Sequence, residues 1–303
     1  MTAIAPDAPA AACDSSPSRS ATAAEGPSPG QVFAARLSSL RPSDGPVTVH
    51  FEGHLPAAFP LFATRSRYTV RHLLNIQDGS NASGLPYVFE HTTTNSRKAG
   101  TSYLSSPEAS FAAQLEESTT TDLEVEVELP EGILEYPDVL ANFIDMRVLV
   151  RLSVVENQSL LHGSTDGVIP GLLSFPGVRY RQVDQIDEAA LVANAAAVEE
   201  MGGSCDGVVI HPNIYWQLVS SGGMQRLGAA GVTISRTRMM PESSALIGDF
   251  RAAGTLNLPG VASITLIPSN HRDRVRARTR VGLNIHLPQH LMHLEVTRKG
   301  GAL

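Results

Sequence analysis

Between Asp122 and Gly163 the sequence changes period once. DLEVEVELP sets Asp122, Glu124, Glu126 and Glu128 on one face and Leu123, Val125, Val127 and Leu129 on the other, the alternation of a strand with one buried side. From Pro137 the chain then reads PDVLANFIDMRVLVRLSVVENQSLLH, with apolar residues at helical spacing and no further proline or glycine until Gly163. At about 1.5 Å per residue, some 25 residues make a helix on the order of 35 Å long. A long amphipathic helix fed directly by a half-buried strand makes this a mixed helix-and-strand chain.

Around this centre the pattern is mixed. Gln31–Leu40 is expected to be a short helix stopped by Pro42, and Val47–Gly53 a strand. Tyr68–Ile76 reads as a strand or short helix. Tyr87–Leu104 reads as two β-rich arms around a polar tip, followed by an irregular stretch over Ser106–Ser118. After the long helix, Asp187–Met201 is an Ala-rich helix capped by Asp184 or Asp187. DGVVIHP is a buried strand and NIYWQLVSS a short helix after Pro212. SGGMQRLGAAG reads as a loop. VTIS, MMPESSALIGDF, VASITLIPS, RVRARTRVGLNIHL and Leu291–Val296 supply further strands. Residues 1–30, mostly Ala, Pro and Ser, lack the apolar content to offset their ordering entropy and are expected to form a disordered tail.

Composition narrows the function classes. The net charge of -7 argues against a whole-chain nucleic-acid binder. No apolar run is long enough for a membrane span. The N-terminus lacks a basic n-region and carries Asp7 and Asp14, so a cytoplasmic location is expected. Two cysteines, Cys13 and Cys205, give neither a disulfide framework nor a Cys-rich metal site. His286, His290 and His293 have metal-like helical spacing, but Pro288 breaks any such helix, so a structural role is expected. Ser164 in GSTDG has the wrong spacing for a nucleophile elbow and is expected, with Asp166, to shape a turn. No phosphate-binding or dinucleotide motif occurs. Neither a catalytic residue nor a cofactor or metal is expected.

Three local patterns carry a resemblance. The long helix ends in E-x-x-x-L-x-x-G (Glu156, Leu160, Gly163), then a glycine-rich turn, and continues into GVIPGLLSF. VVIHPNIYWQL is a strand, a proline and a short aromatic helix. GVTISRTRMMPESSALIGDF ends in Gly248-Asp249-Phe250. In this order they resemble the Hong Kong 97-type (HK97-like) shell proteins, the tailed-phage major capsid proteins and encapsulin nanocompartment shells. The resemblance implies an α+β fold in which the tail over 1–30 is followed by an N-terminal arm over 31–84 and an extended loop over 85–104. It further implies a peripheral domain over 105–169 and 249–303, and an axial domain over 170–248. It also implies self-assembly into sixty subunits or a multiple. A short tail in place of a long scaffolding segment favours an encapsulin-like shell around a cargo enzyme; the alternative is a phage or prophage capsid, the one reading in which DNA is a partner.

The same resemblance suggests functional positions. The loop at Ser220, Ser221, Gly222, Gly223 and Met224 would line a five-fold pore, as a small flexible rim with Arg226 as its nearest charge. Asn95, Ser96, Arg97 and Lys98 would form the extended-loop tip, where some shells of this type cross-link; Lys98 and Lys299 are the only lysines. Arg272, Arg274, Arg276, Arg278 and Arg280 alternate strictly and would share one face of a strand. They read either as a nucleic-acid stripe or as partners of Asp122, Glu124, Glu126 and Glu128. In the assembled shell these two charge faces are expected to meet between subunits.

Overall fold

The computed structural model describes residues 27–40, 46–52, 69–78, 84–92, 111–258 and 261–297. The tail over 1–26, the loop tip Asn95–Lys98 and Lys299 lie outside the described residues. Two sheets and a separate hairpin are arranged around two apolar cores.

The first sheet has the order β1 (Val47–Glu52), β11 (Val261–Ile267), β12 (Arg274–Ile285), β10 (Gly254–Leu258), β2 (Asn75–Asp78), with β5 (Thr121–Glu128) also paired to β12. The long helix packs on it as α2 (Pro137–Phe143), a π segment (Ile144–Val148) and α3 (Leu149–His162). Leu140, Ile144, Val148, Leu149 and Leu152 from the helix meet Leu123, Val127, Val275, Ala277 and Val281 from the strands. These positions are the apolar halves of the two periodicities, brought together. The π turn was not legible in the sequence. By adding a residue to one turn it leaves Asp145 buried, facing the N-terminal helix α1 (Pro29–Ser38).

α1 begins earlier than its periodicity suggests. Ser28 caps it in a reciprocal capping box with Gln31, and Pro29 occupies the first turn. Residues 28–30 therefore belong to the helix, not to the tail. Phe33 and Ala34 bury against the spine, and Asp145 accepts from Ser28 Oγ and from Gly30 N at 2.8 Å.

Past the spine, Gly163 and Gly171 both have positive φ. A Cβ at Gly171 would stand 2.5 Å from Gly163 N, so this close backbone approach requires glycine. Leu172 and Leu173 donate back to the carbonyls of Leu160 and Leu161, closing the turn. Ser164 Oγ accepts from Ile169 N at 2.8 Å and donates to Asp166, a turn-building role.

The second sheet has the order β6 (Arg179–Val183), β13 (Leu291–Val296), β9 (Ser244–Gly248), β7 (Gly207–Ile210), β8 (Thr233–Arg236). α4 (Glu188–Glu199), capped by Asp187, and α5 (Pro212–Ser221) cover it around Leu191, Val198, Ile210, Leu218 and Leu294. Here β13 departs from expectation. It was placed with the peripheral strands, but Met292 and Leu294 bury in this second core, parallel to β6 and antiparallel to β9. The chain crosses between the sheets twice at one waist, through α7 (Phe250–Ala253) between β9 and β10, and through Pro288–His290 between β12 and β13. Asp249 N donates to His290 O there at 3.1 Å.

The hairpin pairs β3 (Pro86–Thr92) with β4 (Phe111–Glu117). The second arm thus falls where an irregular stretch was expected, beyond the 85–104 boundary. FAAQLEE lacks the β-branched residues that would have marked it as a strand.

Candidate assembly surfaces

The first surface is the paired charge faces. β5 and β12 are antiparallel neighbours in one chain, with Asp122 opposite Arg280, Glu124 opposite Arg278, Glu126 opposite Arg276 and Glu128 opposite Arg274. Leu129 N donates to Asp273 O, so the acid–arginine pairs occupy the alternate, non-hydrogen-bonded positions where facing side chains come closest. Glu126 takes bonds from Arg274 and from Arg276, each at 2.9 Å; Asp122 takes them from Arg278 at 2.6 Å and Arg280 at 2.9 Å. Arg272 stands 3.9 Å from Glu128. Hydrogen bonds from Arg274 and Arg276 hold the Glu126 carboxyl below its ordinary range. The expected contact between subunits is therefore met within one subunit, because the sheet order places the two strands side by side.

The second surface is the axial corner. Ser220 and Ser221 end α5, Gly222 adopts the left-handed conformation (φ 75°), and Gly223 starts α6 (Gly223–Ala229). Met224 lies within α6, so the expected flexible loop is a helix–turn–helix corner. Arg226 is not a free charge: it pairs in a fork with Glu188 at the start of α4 and donates to Ser221 O at 3.1 Å. That pair lowers the Glu188 pKa and raises that of Arg226. Beside the corner, the only tryptophan, Trp216, is 59% exposed and packs edge-on to Tyr215. The Arg236 guanidinium lies over both rings, 4.0 Å from the Tyr215 centroid and 5.1 Å from that of Trp216.

The third surface is the hairpin. Its inner face is fastened to the body: Tyr87 contacts His286 edge-on, Phe89 contacts Phe175, and Glu90 N donates to His286 O at 2.8 Å. Its outer face presents Val88 and Leu115, direct cross-strand partners that are 52% and 75% exposed. Phe33 of α1 is fully buried in its own chain, so the open apolar pair is Val88–Leu115 of the hairpin.

Two anchors escaped sequence reasoning. Arg71 and Glu156 form a buried ion pair, 1% and 0% exposed, with Arg71 Nε donating to Oε1 at 2.9 Å. Beside it Asn157 accepts from Val70 N at 3.2 Å. Together they fasten residues 69–74 to the end of the spine. A carboxylate on the buried stripe of the helix was the available signal. The histidines disperse: His286 meets Thr255 and Val88, His290 sits at the waist, and His293 contacts Tyr180. Among the described residues no group of three or more His, Cys, Asp or Glu is arranged to hold a metal.

A spine helix crossing one sheet, a second sheet with its own helices, and a projecting hairpin together define a Hong Kong 97-type α+β shell-protein fold. Solved structures bear this out. The virus-like particle from Pyrococcus furiosus is 14% identical with a TM-score of 0.50, over 74% of this chain and 91% of that one. A structure from Mycobacterium phage Ogopogo is 14% identical with a TM-score of 0.54, over 75% and 91%. The capsid of an empty GTA particle is 13% identical with a TM-score of 0.51, over 87% and 97%. At such identities the likeness establishes the fold and no more. No family model and no curated protein matches the sequence.

Proposed function

We propose that this chain is a structural subunit that assembles with copies of itself into a closed icosahedral shell in the cytoplasm, enclosing a cargo enzyme as encapsulin compartments do. The observation that carries the reading is the hairpin. A two-stranded sheet is marginal by itself, and this one turns the Val88–Leu115 pair outward. A second copy covering that pair would bury it at about 25 cal/mol per Å² of apolar surface. The net charge of -7 supports protein cargo over DNA, since packaged polyanion favours a basic interior.

Light scattering after size-exclusion chromatography, with negative-stain imaging, tests the assembly. Closed particles are expected, and a stable monomer of 32.2 kDa at micromolar concentration would refute the reading. The absorbance ratio of purified particles separates protein contents from nucleic acid. Two finer assignments belong to the same proposal: the Ser220–Met224 corner borders a five-fold opening, and Asn95–Lys98 tips the extended loop. A density map placing that corner on the outer edge of a pentamer would remove the first. Mass spectrometry showing only uncross-linked subunits would leave Lys98 as an ordinary lysine.

A further inference from the structure

Among the described residues β5 pairs with β12 alone, so its other edge is open. Because Leu129 bonds toward β12, the backbone groups of Asp122, Glu124, Glu126 and Glu128 point to that open edge. One edge of this eight-residue strand is unpaired among the described residues, a template that proteins ordinarily shield. Alongside runs a groove of about 560 Å³, lined by Glu126, Val127, Glu128, Phe143, Arg147 and Arg151. Phe143, Arg147 and Arg151 recur every four residues, so they form one stripe of the spine. Both arginines are exposed, and neither forms an ion pair among the described residues, whereas Glu126 already holds two arginines of β12.

We propose that this groove binds an extended peptide of another protein, which adds a strand to β5 and turns two successive same-face acidic side chains, flanked by apolar ones, toward the spine. Main-chain bonds to the β5 edge supply affinity and the groove supplies selection, the usual division in strand addition. Arg147 and Arg151 are about 6 Å apart along the helix axis. Same-face residues of a strand are about 6.6 Å apart, so successive same-face side chains can serve the two cations. The opposite face of the peptide must carry no acids, because it continues the face that bears Asp122, Glu124, Glu126 and Glu128. The partner is thus an alternating segment, acidic and apolar on one side and neutral or basic on the other. The inference does not depend on shell formation.

The probe is a fluorescein-labelled, end-blocked octapeptide, Thr-Val-Thr-Glu-Thr-Glu-Thr-Val, titrated with the full chain and followed by anisotropy. Saturable binding is expected. The double substitution Arg147→Glu/Arg151→Glu should weaken it at least tenfold, as should lysine in place of the peptide's glutamates. Methylating the peptide amides that face β5 should weaken it by a similar factor. Both arginines are exposed, so circular dichroism of the double variant should match the parent. No saturable binding, or equal binding by the double variant or the methylated peptide, would overturn the proposal. Binding by dissociated subunits only, with suppression of particle formation, would show a second copy as the occupant and overturn the assignment to another protein.

Discussion

Gly30→Ala is the substitution whose sign best tests how α1 is held. In a free helix the change stabilises by about 0.5–1 kcal/mol. Here the new Cβ would stand 2.2 Å from the Ala141 carbonyl oxygen and 2.9 Å from Asp145 Cγ. Backbone of the spine cannot give way, so α1 must retreat by roughly 1 Å, enough to break a hydrogen bond of 2.8 Å from Gly30 N to Asp145. That bond goes to a charged acceptor and contributes about 1.5–3 kcal/mol. Phe33, fully buried beneath the helix, contributes about another 1.5–3 kcal/mol when withdrawn from water. The expected loss is about 3–5 kcal/mol, capped by the docking free energy of α1 itself. Urea denaturation followed by circular dichroism measures the loss, and trypsin cleavage at Arg36 reports release of the helix. Phe33→Ala should cost a similar amount, about 3–5 kcal/mol. The two together should cost little more than the worse one, since both end in the same undocked state. A Gly30→Ala protein as stable as the parent, with Arg36 equally protected, would refute the close-approach account.

Three further outcomes follow from the buried and paired charges. Glu156→Gln should cost about 3–5 kcal/mol by stranding the buried Arg71 guanidinium, and Arg71→Met/Glu156→Leu should cost less; the reverse order in urea midpoints would show that the pair is not the anchor. Burial lowers the pKa of His290 and of His293, so the folded state holds fewer protons than the unfolded chain. Stability from these imidazoles is complete above the ordinary value of about 6.5 and is lost as pH falls below it. Burial raises Asp145 and Asp206, whose contributions run the other way, in a window that opens at the ordinary carboxylate value of about 3.9. His290→Gln should flatten the loss between pH 7 and 5.5, and an unchanged pH profile would exclude His290 as its source. Glu126→Lys should lower Tm more than Glu124→Lys, because Glu126 serves two arginines and Glu124 forms no ion pair among the described residues; equal shifts in low salt would remove the distinction.

What was legible in the sequence is what repeats. The alternation over Asp122–Glu128 and the helical run to His162 gave the sheet and the spine, because period maps directly onto burial. The five-arginine alternation likewise located a strand, but periodicity carries no information about which neighbour a strand chooses. Only the sheet order showed that acids and arginines meet inside one chain. The axial corner was misread because two glycines suggest a loop, whereas a single left-handed residue, Gly222, is enough to join two helices. β4 was missed because its alanines, glutamates and glutamine carry weak strand preference and are held by register with β3. Arg71–Glu156 and Ser28–Asp145 join residues 85 and 117 positions apart, a separation no local pattern encodes.

The waist has a mechanical consequence. Gly248 and Leu291 face each other as antiparallel partners, and a Cβ on Gly248 would stand 2.2 Å from the carbonyl oxygen of His290. The two crossings therefore run as one narrow ribbon, not as separate cords. The ribbon is not the whole connection, because Val209 and Leu246 of the second sheet pack into the same core as Leu160, Leu172 and Leu256. Load applied to one end of the subunit would therefore reach the other through close-packed side chains as well as through the ribbon. A side chain at residue 248 would wedge the two crossings apart at the point where they meet.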